Sequence, residues 1–433
     1  MAEYDTAPDR SPGIGGMRRS YQPIEGGRPR HKRWYLSTRT KFLIAFSAAT
    51  CWAGLSVWIS MPWIRDLAGA ISLVPAVVIV TLLALLPGHL IAFLAVAVLL
   101  DRQPPLVVVH PTTPVTVVIA ARNEATGIAE TLKYLAVADY DGDLRVVLVD
   151  NGSTDGTADV ARQTADRNGL ALTVLHESHP GKSYALNHAL PMIDTPLLVT
   201  VDADTLLQKS AIRFLVARLE SSQPDVLAVA GDLMVRNTRS TLWTRLQTWD
   251  YLLGIAAVKR VQGFFQGTLV AQGAFSLYRT EAVRGADGWP DAIGEDIVLT
   301  WKLLRAGRVY YEPLALAFTT TPERLRDLIR QRSRWARGML EGIRAIPPYR
   351  QRRSTTRALT AVDLAIPFLD LAYLLLWLPG LALACLGQFW IVGPMTAAVV
   401  PVTLAVYWLL YRFQERQVLQ PLGIEARRDL WGF

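Results

Sequence analysis

Cysteine is nearly absent from this sequence: the 433 residues hold two, Cys51 and Cys385, both inside apolar runs. That excludes a disulfide framework and a thiolate metal centre. Histidine is scarce too, with six residues and no HExxH pattern. His176 and His179 flank the stretch HESH, but no third ligand stands at useful spacing, so a polar loop is expected there. Zinc-finger spacing, RNA-binding signatures and basic heptads are missing, which sets nucleic acid aside as a partner. The one phosphate-loop look-alike, PGKS at Pro180 to Ser183, has His176 where a Walker A loop requires glycine, and a P-loop is rejected. The glycosylation sequon at Asn151 reads as a turn.

Hydrophobic residues, by contrast, make up 51% of the chain. Lys41 to Trp63 carries about twenty apolar or small residues with no charge after Lys41, enough to cross a hydrocarbon layer of ~30 Å. A second run, Ala70 to Leu100, follows a loop whose only charges are Arg65 and Asp66; a spanning helix tolerates its Pro87 and Gly88. The first run is too long and begins too far in for a cleaved signal peptide. Near the other end, Leu359 to Leu386 is apolar except for Asp363 and Asp370, and Ile391 to Tyr411 is wholly apolar. Asp363 and Asp370 share a helix face, where they either line a polar cavity or sit at the interface.

The net charge is +8, and basic residues crowd the first 41 positions and the stretch Arg324 to Arg357. Both crowds adjoin apolar segments, which points to a membrane surface. The positive-inside rule then predicts a disordered basic cytoplasmic tail over 1–40 and two membrane helices over 41–103. A cytoplasmic domain follows over 104–350, then two more membrane helices over 351–412 and a cytoplasmic tail over 413–433. The expected location is the cell membrane, multi-pass.

The 104–350 segment alternates strands with helices, the pattern of an α/β fold with a mostly parallel sheet. Strands are predicted in PVTVVIAARNEA (Pro114 to Ala125), LRVVLVD ending at Asp150, LTVLHE and PLLVTVDADT. In such sheets ligands bind beyond the carboxyl ends of the strands, so Asp150, Asp202 and Asp204 gather at one edge. Strand alternation turns Asp202 and Asp204 to the same side. Two close carboxylates repel unless a cation or hydrogen-bond donors compensate, and hard oxygen ligands suit Mg²⁺ or Mn²⁺. The competing reading is that the pair caps the next helix or accepts turn bonds.

Taken in order, VTVVIAARNE, VLVDNGSTDGT, GKSYALN, VTVDADT, GEDIVLTWKLLRAG and RQRSRWARG resemble the motifs of family 2 glycosyltransferases. The likeness covers about residues 112–345 and is to the membrane-embedded, mostly processive branch, which includes poly-N-acetylglucosamine, chitin-oligosaccharide, hyaluronan and cellulose synthases. It implies a cytoplasmic GT-A (Rossmann-like) domain held by membrane helices and by interfacial amphipathic helices at Ser240 to Gln262 and Leu325 to Ile346. It also implies site roles. Asp150 and Asp202 resemble the residues that hold uridine and ribose, with Arg122, Glu124 and Lys182 near the nucleotide. Asp204, with Asp202, resembles the site of the divalent cation. Asp296 matches the catalytic base; its other reading is a carboxylate stabilising a helix N-terminus. Gln331 and Arg334 match the motif facing the diphosphate, while Trp335 and the loop Gly273, Ala274, Phe275 match acceptor contacts.

Two departures stand out: Arg122 replaces a usual aromatic, and Asn151 replaces a usual aspartate. The final RRDLWGF reads like the approach to a further apolar segment, and the export path is then expected to need that segment or an accessory subunit. The implied function is an inverting transfer of a sugar, N-acetylglucosamine as first guess, from a UDP-sugar to a growing β-linked polysaccharide that is exported. Transfer of one sugar to a membrane lipid (ceramide or diacylglycerol) is the alternative. A transporter or inactive nucleotide-binding scaffold is the alternative of another class.

Overall fold

The computed structural model describes residues 36–264, 267–393 and 396–424. Residues 1–35 of the expected basic tail and the terminal RRDLWGF lie outside the described residues. Among those described, three helices are long and apolar enough to cross a membrane: Thr38–Ile71, Leu73–Leu100 and Ser354–Cys385. The helix Thr396–Gln414 occupies most of the fourth expected span. Arg65 and Asp66, expected in a loop, lie inside the first helix instead. The chain turns only at Ser72, where φ is 86°. The first helix has 34 residues, and at 1.5 Å per residue it rises about 51 Å. It is therefore longer than a ~30 Å apolar layer needs, and it runs through both charges without a break. At the other end of this hairpin the Lys41 ammonium donates to Arg102 O at 3.4 Å.

Four strands fall where the sequence predicts them: β1 (Val115–Ala121), β2 (Leu144–Asp150), β3 (Leu172–His176) and β4 (Leu197–Asp202). Four more complete the sheet: β5 (Leu206–Leu207), β6 (Val226–Val235), β7 (Phe275–Arg279) and β8 (Arg308–Thr319). The order is β3-β2-β1-β4-β7-β6-β8-β5. Pairing is parallel for β1–β2, β2–β3, β1–β4 and β6–β8, and antiparallel for β4–β7, β6–β7 and β5–β8. The sheet is thus mixed, with its parallel half where sequence periodicity places it.

The chain winds outward from β1 to β3 and then returns to β4 on the other flank of β1. That reversal opens a crevice beyond the strands' carboxyl ends. Helices cover both faces, which explains the nearly continuous apolar runs. Val115, Val117 and Ile119 of β1 enter one core, and Val118 enters the other.

Two helices meet at the crevice without side chains between them. The helix Leu325–Ala345 crosses the start of the helix Glu295–Ala306 where Gly338 faces Gly294. A Cβ on Gly338 would stand 2.9 Å from Gly294 Cα, and one on Gly294 would stand 2.7 Å from the Gly338 backbone. Backbone cannot rotate away as a side chain can. Gly338→Ala is expected to destabilise the protein by about 1–3 kcal/mol, the range for overpacking. Thermal unfolding checks this against Gly285→Ala, whose Cβ meets nothing within 4 Å.

Candidate active site

β2 ends with Asp150 opposite Ala121, and β4 ends with Asp202 opposite Ala120, so the two carboxylates flank the end of β1. Asp150 Oδ1 accepts the Ser153 N–H at 3.0 Å, and Oδ2 lies 3.3 Å from His176 Nδ1. Arg162 Nη2 lies 3.3 Å from His176 Nε2. A guanidinium can only donate, so Nε2 accepts and the ring proton sits on Nδ1, facing Asp150. From the sequence His176 is expected in a polar loop rather than as a metal ligand. Its role beside Asp150 follows from the parallel register of β2 and β3, which pairs the two residues.

Asn151 is equally informative. Its Nδ2 donates to Glu177 O at 3.1 Å and His179 O at 2.6 Å, while Oδ1 accepts the Gly181 N–H at 2.7 Å. An aspartate has no donors for the first two bonds. The replaced charge is therefore an amide clip that shapes the loop leading into Lys182. The loop after β1 is clipped likewise. Asn123, at φ 57°, donates its N–H to Ser153 Oγ at 3.0 Å, and Ala125 N–H reaches Asp155 Oδ2 at 3.0 Å. Arg122 stands exposed on this loop.

Strand alternation does not place Asp204 beside Asp202, because β4 ends at Asp202 and Asp204 lies in the turn that follows. The turn closes with the Thr205 N–H on Asp202 O at 3.0 Å. The carboxylates are still close enough to interact. Burial first, and then Asp202, push the Asp204 carboxyl above its ordinary range. Burial, followed by Asp204 and Asp202, does the same to Glu124. Excess negative charge in a half-buried place is the electrostatic complement of a cation. No cluster of three or more His, Cys, Asp or Glu able to hold a metal occurs among the described residues. The donor set therefore fits a Mg²⁺-like ion that takes one or two carboxylates and completes its shell with ligand phosphates.

Lys182 sits at the centre of the crevice and pairs with Asp202 Oδ1. Burial opposes its charge, but Asp202, Glu295 and Asp296 outweigh that and hold its pKa above the ordinary value. A Cβ on Gly273 would stand 2.8 Å from Lys182 Nζ and 3.6 Å from Glu295 Oε1, so that glycine admits the ammonium. Asp296 Oδ2 accepts the Gly273 N–H at 3.0 Å, and Oδ1 accepts the Ile297 N–H at 2.8 Å. The side chain is thus aimed from two sides at the N-terminal turn of its helix. In the loop Gly273 to Phe275, Ala274 O accepts the Asp202 N–H at 3.1 Å. Phe275 departs from the contact expected of it: the ring is fully buried and packs over Gly231, so its side chain serves the core.

Gln331, Arg334, Trp335, Gly338 and Gly342 recur at helical spacing and form one stripe. Gly338 and Gly342 are its buried members, which leaves the preceding turns overhanging the crevice. Gln331 Oε1 is buried without a partner. Arg334 is exposed. Trp335 lies under the Arg332 guanidinium at 4.3 Å and beside the Tyr251 ring at 6.3 Å.

The family model described as "Glycosyltransferase like family 2" matches residues 111–338. The chain is 32% identical over 226 residues to the poly-beta-1,6-N-acetyl-D-glucosamine synthase of Staphylococcus aureus, covering 52% of this chain and 54% of that protein. Identity to the synthase of the same name from Staphylococcus epidermidis is 29% over 226 residues, with the same coverage. The chain spans about half the length of these curated relatives. In three dimensions it is similar to the mannosyltransferase PcManGT of Pyrobaculum calidifontis, solved with GDP-Man and Mn²⁺, at a TM-score of 0.51 and 22% identity. That match covers 91% of this chain and 99% of the other. It speaks for the fold, which is of the GT-A type.

Glu295 carries a pH signature. Burial first, and then Asp296, push its carboxyl from the ordinary 4.5 up to about 7, against the pull of Lys182. The folded state therefore keeps this proton to a higher pH than the unfolded chain does. Stability is expected to fall as pH rises from about 4.5 through 7. Glu295→Gln should flatten that loss, as read from unfolding midpoints across the interval.

Proposed function

Because the chain belongs to the glycosyltransferase-like family 2, we propose that it is a membrane enzyme that lengthens a β-linked polysaccharide. It transfers a sugar with inversion from a UDP-sugar to the end of the growing chain. The observation that carries this reading is the convergence of Lys182, Asp202, the Gly273 N–H, Glu295 and Asp296 in one crevice. The names of the curated relatives support N-acetylglucosamine as the sugar. The apolar helices support a multi-pass protein, with the domain on the cytoplasmic side.

In this reading Asp150 and Asp202 hold uridine and ribose, and His176 orients Asp150. Arg122 offers a flat guanidinium to the base, and Glu124 lies beside the ribose-side carboxylates. Lys182, Gln331 and Arg334 face the diphosphate. Asp204 and Asp202 would hold Mg²⁺ or Mn²⁺ there, and the ion when bound supplies positive charge against the charge growing on the leaving group. Asp296 is the base. Two backbone N–H groups fix its carboxylate, which takes the proton from the acceptor hydroxyl as that oxygen attacks the anomeric carbon. Trp335 offers its ring to the acceptor sugar, and the backbone of Gly273 and Ala274 walls that side.

The test is UDP release by membranes holding the protein, against a panel of nucleotide sugars, with the product sized afterwards. A ladder of oligomers is expected from UDP-N-acetylglucosamine; a single glycolipid would sink the polymer reading. Asp296→Asn should lower turnover about 10²–10⁴-fold, the usual worth of a general base, while leaving UDP affinity intact. Chelation of divalent ions should abolish transfer, and added Mg²⁺ or Mn²⁺ should restore it.

A further inference from the structure

Behind the crevice lies a layer of buried charge that the proposed chemistry does not use. Asp101, at the end of the helix Leu73–Leu100, is 7% exposed, Arg260 3%, Gln414 4% and Asp232 of β6 0%. They form a chain of contacts. Arg260 Nη1 donates to Asp101 Oδ2 at 2.8 Å, and Nη2 donates to Gln414 Oε1 at 3.2 Å. Gln414 Nε2 in turn donates to Asp232 Oδ2 at 2.8 Å. The residue before Asp232 continues the series, since Gly231 O accepts Gln272 Nε2 at 2.6 Å. The residue after Gln272 is Gly273, whose N–H holds Asp296 Oδ2 at 3.0 Å. A series of hydrogen bonds, joined twice through the peptide chain at Asp232–Gly231 and Gln272–Gly273, thus leads from an apolar helix end to the carboxylate assigned as base. The Arg260 guanidinium is also packed 5.3 Å from the Phe413 ring, which pins the hub on a second side.

We propose that Arg260, Gln414 and Asp232 are positioning residues that tie the placement of the apolar helices to the loop orienting Asp296. The inference rests on the reading of Asp296 as base. Burying charges of both signs in one layer is costly unless each is satisfied. A single amide, Gln414, bonds two of them, accepting from Arg260 and donating to Asp232, while Asp232 Oδ1 and Arg260 Nε stay buried without a partner. That direction of donation makes the chain testable without deleting it.

In Gln414→Glu the carboxylate still accepts from Arg260 but meets Asp232 as a second anion. In the double variant Gln414→Glu with Asp232→Asn, the new asparagine donates to the new carboxylate, and the bond re-forms with reversed polarity. The measurements are kcat, donor KM and the Kd for UDP, on the full chain in membranes. Gln414→Glu is expected to lower kcat at least tenfold with donor KM and UDP Kd unchanged, and the double variant should recover most of that loss. If the single variant does not accumulate, Gln414→Met, which keeps the shape and removes both bonds, gives the same reading.

Wild-type kcat in a single variant that binds UDP normally overturns the proposal. So does a double variant that binds UDP normally but stays slow. Failure of the base reading is distinguishable: Asp296→Asn would then remain active whatever the Gln414 variants do.

Discussion

The site depends on one ammonium. Lys182 stands where Asp202 arrives from β4 and where Glu295 and Asp296 arrive from the start of a helix, and opposite charges hold these elements together from both sides. A lysine enclosed this way stays charged because the surrounding carboxylates outweigh the cost of burial. The same carboxylates would repel one another without it. Gly273 is part of this constraint, since any side chain there would occupy the space of the ammonium. The loop Gly273 to Phe275, the strand end and the helix N-terminus are therefore gathered around one ammonium, with backbone N–H groups finishing the aim of Asp296.

The sequence makes the parallel half of the sheet legible because β1 to β4 are short, apolar and punctuated by aspartates and glycines. Its other half was not foreseen. β6, β7 and β8 pair partly antiparallel across large separations, and pairing of that kind leaves no local period. Within the site, residue types were readable and their supports were not. Asn151 looked like a lost charge, yet its amide makes three contacts that an aspartate cannot make in full. Asp202 and Asp204 were placed together by strand alternation, whereas a tight turn brings them near each other. Phe275 is expected beside an acceptor, but its ring fills the core over Gly231.

The membrane segments show the same division. Apolar length foretold the helices, but the break between the first two lies beyond the charged pair that was expected to mark it. The helix keeps its backbone hydrogen bonds through Arg65 and Asp66, and two charges alone give it no reason to unwind. Composition locates a span, then, but not where its helix stops.

The meeting of Gly294 with Gly338 has a mechanical consequence. Two peptide planes pressed together offer no rotatable bond to absorb a push, so the arginine-rich helix and the helix carrying Asp296 travel as one piece. A displacement of the first is passed through this contact to the second, and so to the carboxylate at its start.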